Sequence, residues 1–217
     1  HELNQPLAAV RAYAENARRF LEQGRAETAD ANLAQIVELT ERMAEISAQL
    51  KQFSRKSGDS LAAVSVQAGF GYALRLYRAR LLSAGVSIVR DWPADEVWVH
   101  ADPVRLEQVL VNLIGNALQA MTDTSDPRLE LSIATVTGHV RIGVRDSGPG
   151  IAEAHLGRVF EPFFTTKPVG KGLGLGLSIS ARIVEDLGGR LEACNAAAGG
   201  ALFTIDLPAG EVAPATP

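Results

Sequence analysis

Two apolar seams dominate the first quarter of the chain. Leu3, Leu7, Val10, Ala14, Ala17 and Leu21 recur at steps of 4, 3, 4, 3 and 4 residues, the spacing of a heptad stripe down one side of a helix. Gly24 interrupts that run. Ile36, Met43, Ile46, Leu50 and Phe53 carry a second one, at steps of 7, 3, 4 and 3, to about Lys56. Two long helices joined by a short turn pack as an antiparallel hairpin. A hairpin with a seam on each arm leaves apolar surface open, and pairing two copies into a four-helix bundle covers it. Residues 1–56 are therefore expected to form a homodimer.

Beyond a linker at 57–63 the pattern changes to alternating strands and helices, which predicts a second domain over 64–208 and a disordered tail at 209–217. A short strand is expected in AVSV, a helix over 67–84, and strands in VSIVRD and EVWVHAD. Asp102-Pro103 opens a helix that runs to about Met121: Asp caps free N–H groups and Pro suits the first helical position. Strands RLELSIATV and HVRIGVRD flank a turn at Thr137-Gly138. A Gly/Pro-rich loop follows at 148–175, then a helix over 176–187 that ends at Gly188-Gly189, then strands RLEACNA and ALFTIDLP. One sheet with helices on one face is the simplest packing, so the fold class is α+β: a helical hairpin followed by a two-layer α/β sandwich.

Composition narrows the function. With 217 residues and 47% hydrophobic content there is enough apolar material for one or two cored domains. A net charge of −4 speaks against a nucleic-acid partner or a polybasic membrane surface. The single cysteine, Cys194, excludes a disulfide framework and reads as core filler. No apolar run reaches the roughly 18 residues of a membrane span. The chain opens at His1 without a starting Met, so the expectation is a cytoplasmic fragment tied to a membrane only through segments upstream of it.

Four stretches carry chemistry. Asn112 and Asn116, in VNLIGNALQA, are four apart and share one helix face. Among apolar neighbours, an unsatisfied amide is unfavourable; the pair is either capping and turn-bonding, or a set of oxygen ligands for magnesium and phosphates. RDSGPGI places Asp146 at a strand end before a sharp turn with Gly148, Gly150 and Ile151; the stretch is either only a turn, or a place where the carboxylate accepts a hydrogen bond from an exocyclic amine such as that of adenine. FEPFFTTK groups Phe160, Phe163 and Phe164 around Pro162, and Lys167 and Lys171 flank the next segment. There Gly172, Gly174 and Gly176 alternate with Leu173 and Leu175, directly before a helix. Missing side chains let backbone N–H groups approach an anion, and the helix end adds partial positive charge. A dinucleotide fingerprint is excluded because its third glycine would fall on Leu177, and a Walker A loop because Gly172 follows Lys171. His100, His139 and His155 have no metal-ligand spacing.

In order and spacing, Asn112/Asn116, D-S-G-P-G, F-E-P-F-F and G-L-G-L-G-L-S-I resemble the N, G1, F and G2 boxes of sensor histidine kinases, whose ATP-binding fold is shared with gyrase, Hsp90 and MutL. The opening H-E-L-N-Q-P-L resembles the H box of the same kinases. The segments HELNQPLAAVRAYAENA and TTKPVGKGLGLGLSIS look most like C4-dicarboxylate transport sensor kinases; oxygen-sensing kinases share HELNQPL. The resemblance implies that His1 is the phosphoacceptor and that Glu2 orients its ring and takes its proton. It implies Asn116 as the magnesium ligand with Asn112 beside it, and Asp146 on the adenine amine. Gly148, Gly150 and Ile151 shape that end of the pocket. Lys167, Lys171, Gly172, Leu173, Gly174, Leu175 and Gly176 form the phosphate loop, and Phe160, Phe163 and Phe164 lie in a lid. ATP and Mg2+ are the implied cofactors, and the implied partner is a response regulator receiver domain of the sigma-54-activator class.

One match and two departures bear on mechanism. In gyrase-like ATPases a glutamate at the position of Asn112 activates water, and an amide cannot act as that base, which favours transfer to a protein group. Leu173 replaces a Thr frequent in the family. Gln5 stands where many relatives place Thr or Asn for dephosphorylation of the regulator, one methylene longer. A non-catalytic dimerisation and nucleotide-binding module is the alternative reading.

Overall fold

The computed structural model describes residues 4–53, 61–166 and 174–210. The chain divides into two compact units, 1–56 and 57–217.

The first unit is the helical hairpin. Helix α1 spans Asn4–Glu22 and α2 spans Ala26–Phe53. The turn between them follows from Gly24. Its φ of +72° is a conformation in which a Cβ would be strained. Gly24 N–H donates to Leu21 O at 3.0 Å and Arg25 N–H to Phe20 O at 2.8 Å, the paired bonds that close a helix C-terminus. Small residues let the two helices approach: Ala17 and Ala29 are buried, whereas Leu21, Leu33 and Val37 are exposed.

The second unit is a two-layer sandwich. Strand β1 (Ala62–Ser65) pairs antiparallel with β3 (Trp98–Ala101) in a small sheet. Helix α3 (Val66–Leu76) starts where the Ser65 hydroxyl accepts the Ala68 N–H at 3.2 Å. A short α4 (Arg78–Ser83) follows. The main sheet has the order β2 (Ser87–Asp91), β4 (Arg128–Val136), β5 (His139–Asp146), β7 (Ala201–Pro208), β6 (Arg190–Asn195). Only β2–β4 is parallel; the other pairs are antiparallel.

Alternation decides which face is covered. Leu129, Leu131 and Ile133 of β4, Val140, Ile142 and Val144 of β5, and Phe203, Ile205 and Leu207 of β7 are buried. They form one core with Leu106, Leu110, Leu113 and Ile114 of α5 (Pro103–Ala120) and Ile179, Ile183 and Val184 of α7 (Gly176–Asp186). The intervening residues carry paired charges: Arg145 with Glu130 at 2.8 Å, Arg141 with Asp206 at 3.3 Å and Arg190 with Glu192 at 3.0 Å. A depression of about 350 Å3 on this charged face lies on the opposite side of the sheet from Asp146. Among the described residues no helix is long and apolar enough to cross a membrane.

Asp102 caps α5 as expected, its Oδ1 accepting the N–H groups of Val104 at 2.9 Å and Arg105 at 3.2 Å. Several expectations need correction. The helix expected over 67–84 breaks at Tyr77, whose ring seats on α5: a Cβ at Gly115 would meet the Tyr77 hydroxyl oxygen at 2.5 Å. The loop expected at 148–175 contains a one-turn helix α6, Glu153–Leu156. Ala62, placed in the linker, belongs to β1, and Val66, placed in the AVSV strand, opens α3. Ala209 and Gly210, placed in the disordered tail, are tied to β3 by the Val99–Ala209 bridge and by the Gly210 N–H bond to Trp98 O at 2.8 Å. Cys194 is exposed on the edge strand β6, not core filler.

Candidate nucleotide site

Helix α5 organises the site along one face. Its apolar residues bind it to the sheet, which leaves the half-buried Asn112 and Asn116 at the edge of the core. At one end, Gly176 at the head of α7 packs on Asn112; a Cβ there would collide with the Asn112 Oδ1. At the other end, Gly148 packs on the last turn of α5; a Cβ there would lie 2.9 Å from Ala120 O. From Asn112 to Ala120 is about 12 Å of helix axis at 1.5 Å per residue. The two glycine-lined approaches are thus set a base, a sugar and a phosphate chain apart, with Asn116 midway.

Asp146 ends β5 beside the Gly148 turn and is buried. Its Oδ1 accepts N–H bonds from Gly148 at 2.9 Å and Ala201 at 3.3 Å, which leaves Oδ2 for a donor from outside. Burial pushes its pKa above the ordinary carboxylate value of 3.8. The Gly148 and Ala201 N–H groups, the Arg145 guanidinium and its own backbone N–H oppose that rise. A buried carboxylate with one oxygen held by two backbone N–H groups is an acceptor for an N–H donor that has shed its water.

Residues not singled out from sequence hold this end together. Asn195, on β6, makes a two-way clamp on Ile151: its Oδ1 accepts the Ile151 N–H and its Nδ2 donates to Ile151 O, both at 2.7 Å. Arg145 donates to Gly199 O at 3.1 and 3.3 Å, fixing the turn that delivers the Ala201 N–H. The Ser147 hydroxyl accepts the Arg128 N–H at 2.8 Å. At the other end, Ser180 of α7, buried, accepts a bond from Asn112 Nδ2 at 2.9 Å. None of these contacts follows a helical or strand spacing, so no local pattern announces them.

The lid begins at α6. His155 and Phe164 have ring centroids 5.3 Å apart, and the Arg158 guanidinium lies 4.7 Å over the Phe164 ring. Phe160 is packed against the core, whereas Phe163 is exposed and has φ of +66°. A Cβ at Gly174 would collide with the Phe163–Phe164 backbone, so this glycine serves the seating of the lid. His1, Glu2, Lys167, Lys171, Gly172 and Leu173 lie outside the described residues, as does the side chain of Gln5. Leu175 is buried and precedes α7 without a side-chain cap, so among the described residues no side chain caps the first-turn N–H groups of that helix.

ATP fits what is present. The buried Asp146 acceptor of β5, the two glycines packed on α5 and the head of α7 are the parts that a base and a phosphate chain require. Among the described residues no three His, Cys, Asp or Glu side chains gather around a metal position. Asn112 and Asn116 carry half-buried side-chain amides on this face of α5.

Comparison with known proteins agrees. A family model described as "Histidine kinase-, DNA gyrase B-, and HSP90-like ATPase" matches residues 101–211, and one described as "His Kinase A (phospho-acceptor) domain" matches residues 1–58. The chain belongs to the sensor histidine kinases, as a phosphoacceptor domain followed by an ATP-binding domain. It is similar to the C4-dicarboxylate transport sensor protein DctB of Pseudomonas aeruginosa, 45% identical over 211 residues, which covers 97% of this chain and 34% of that protein. DctB of Rhizobium meliloti is 40% identical over 207 residues, covering 95% of this chain and 33% of that protein. The chain thus spans about a third of the length of these relatives. The catalytic domain of histidine kinase ThkA, nucleotide-free, superimposes with a TM-score of 0.63 at 29% identity, over 70% of this chain and 99% of that one. ThkA in complex with the response regulator TrrA shares the fold, with a TM-score of 0.76 at 23% identity over 96% of this chain and 59% of that one.

Proposed function

We propose that this chain is the catalytic core of a sensor kinase that moves the γ-phosphoryl group of ATP to His1 and then to an aspartate of a response regulator. The observation that carries the reading is the pair of anchors on α5: Asp146 with Gly148 at one end, Asn112 with Gly176 at the other.

Each residue has a task. Asp146 Oδ2 accepts the adenine amine and Gly148 lets the base approach. The head of α7 takes phosphate charge through its backbone N–H groups. Asn116 and Asn112 offer amide oxygens to Mg2+, which when bound neutralises developing charge on the phosphates. Lys167 and Lys171 add positive charge from the loop. Glu2 accepts the His1 ring proton as the imidazole nitrogen bonds to phosphorus and ADP departs. With an amide at position 112 the site has no base of its own for water, and transfer awaits the histidine.

Two further parts rest on the same reading. Exposed Leu21, Leu33 and Val37 on the hairpin support a four-helix bundle formed by two copies. The partner we propose is a response regulator receiver domain of the sigma-54-activator class, with Gln5 as the candidate to orient water for dephosphorylation of that regulator. The test is a calorimetric titration with ATP and GTP in Mg2+. Guanine places a carbonyl where adenine has its amine, so GTP would set an acceptor against the Asp146 carboxylate. ATP is expected to bind and GTP to bind at least about tenfold more weakly, the loss of one charge-assisted hydrogen bond. Equal affinities contradict the assignment of Asp146.

A further inference from the structure

The amide of Asn112 has a donor end and an acceptor end of nearly the same shape, so its hydrogen bonds decide which end faces the site. In this chain the donor end is engaged: Asn112 Nδ2 donates to the Ser180 hydroxyl at 2.9 Å, across 68 residues of sequence. Ser180 is 1% exposed, so water does not compete for that bond. The acceptor end is the part of the amide nearest Gly176, at the head of α7: a Cβ built there would collide with Asn112 Oδ1 and lie 3.2 Å from Nδ2.

That orientation has a chemical consequence. The head of α7 is the positive end of an eleven-residue helix with no side-chain cap, where phosphate oxygens are favoured. A carbonyl oxygen beside phosphate oxygens is repelled unless a cation lies between them. An amide turned the opposite way would donate to phosphate directly and offer nothing to a metal.

Resting on the Mg–ATP reading of the site, we infer that Ser180 is a positioning residue: it anchors the Asn112 amide in the orientation that presents the carbonyl oxygen at the head of α7 as a cation ligand. The serine stands in the core of α7, outside the glycine loop, and touches no nucleotide. It acts through Asn112.

The test measures how much Mg2+ strengthens ATP binding, by titrating the full chain with ATP in Mg2+ and in EDTA, with melting temperatures as a check on folding. Ser180→Ala is expected to reduce the Mg2+-dependent gain about three- to tenfold, the loss of one buried hydrogen bond, and to leave ATP affinity in EDTA unchanged. Asn112→Ala is expected to lose the same gain, and adding Ser180→Ala to it is expected to change nothing more. Asn112→Asp tests polarity and remains decisive if Ser180→Ala does not fold. The Ser180 hydroxyl can donate to a carboxylate, so this variant is expected to keep or enlarge the Mg2+ dependence. A folded Ser180→Ala with undiminished Mg2+ dependence overturns the inference. So does an equal loss in Mg2+ and EDTA, the mark of a merely structural role, or an Asn112→Asp variant that no longer responds to Mg2+. A parent chain that binds no ATP under either condition overturns the reading of the site itself, a separate result.

Discussion

Replacing Asp146 by Asn separates what the carboxylate does for nucleotide from what it does to the fold. The two backbone donors, Gly148 N–H at 2.9 Å and Ala201 N–H at 3.3 Å, both require an oxygen at the Oδ1 position. They therefore fix the new amide with its oxygen inward and its NH2 in place of Oδ2, against the adenine amine. A hydrogen bond to a charged group contributes about 1.5–3 kcal/mol, and unsatisfied buried donors cost about 1–3 kcal/mol more. A combined loss of about 3–5 kcal/mol weakens ATP by roughly a hundredfold to a few thousandfold at 1.4 kcal/mol per decade. The fold is expected to respond in the opposite sense. Burial raises the pKa of Asp146 above its unfolded value, so the folded chain binds more protons than the unfolded one between those two values. The associated stability is full below the ordinary carboxylate range and is lost as pH rises through the raised pKa. At neutral pH the buried charge opposes folding, and the neutral amide relieves it. Asp146→Asn should therefore melt at or above the parent temperature at pH 7, with the difference shrinking in acid, while calorimetry shows ATP binding lost. ATP affinity of the parent should itself fall as pH drops through the raised pKa, because only the carboxylate accepts the amine. A folded Asp146→Asn chain that loses less than about tenfold in ATP affinity refutes the base contact. One that melts well below the parent at pH 7 refutes the stability argument.

Other substitutions probe other parts of the site. Gly176→Ala drives a methyl group into the Asn112 amide; the overpacking, about 1–3 kcal/mol, is partly offset by the roughly 1 kcal/mol that Ala gains over Gly in a helix. Calorimetry should show ATP binding reduced more than tenfold, with a small change in melting temperature. Asn195→Ala removes both bonds to Ile151 and should weaken ATP several-fold, with faster hydrogen exchange confined to the 147–151 turn; exchange spread over the sheet would contradict a local clamp. Asp102→Ala removes a helix cap bonded to two N–H groups and should lower stability by about 1 kcal/mol without altering ATP affinity. Glu2→Gln should leave ATP affinity nearly unchanged, in contrast to Asp146→Asn, since only Asp146 is assigned to the base.

Local rules made much of this fold legible. The strands at 128–136, 139–146 and 201–208 appear where alternation places them, because one face of the sheet is buried and the other charged. The start of α5 was legible because Asp102-Pro103 is a local signal, and the hairpin because Gly24 is. The break at Tyr77 was not: the Tyr77 ring packs on Gly115, 38 positions away, a contact that helical periodicity does not register. One turn of helix at Glu153–Leu156 is too short to carry a period. In the site, Asn112, Asn116, Asp146 and the glycines stand out as polar or small residues where apolar ones would pack. Ser180 and Asn195 look ordinary in sequence and acquire meaning only when α7 meets α5 and β6 meets the Ile151 turn. The glycine stretch had a twofold explanation: Gly174 serves the backbone of the lid, whereas Gly176 serves Asn112.

The central claim is phosphoryl transfer to His1, and γ-labelled ATP tests it most directly. The chain, extended by a helical segment upstream of His1, is incubated with labelled ATP and Mg2+ beside a His1→Gln variant. Label that is stable in base, labile in acid and absent from His1→Gln is the expected result. An unlabelled parent that binds Mg–ATP, or label that persists in His1→Gln, contradicts the claim.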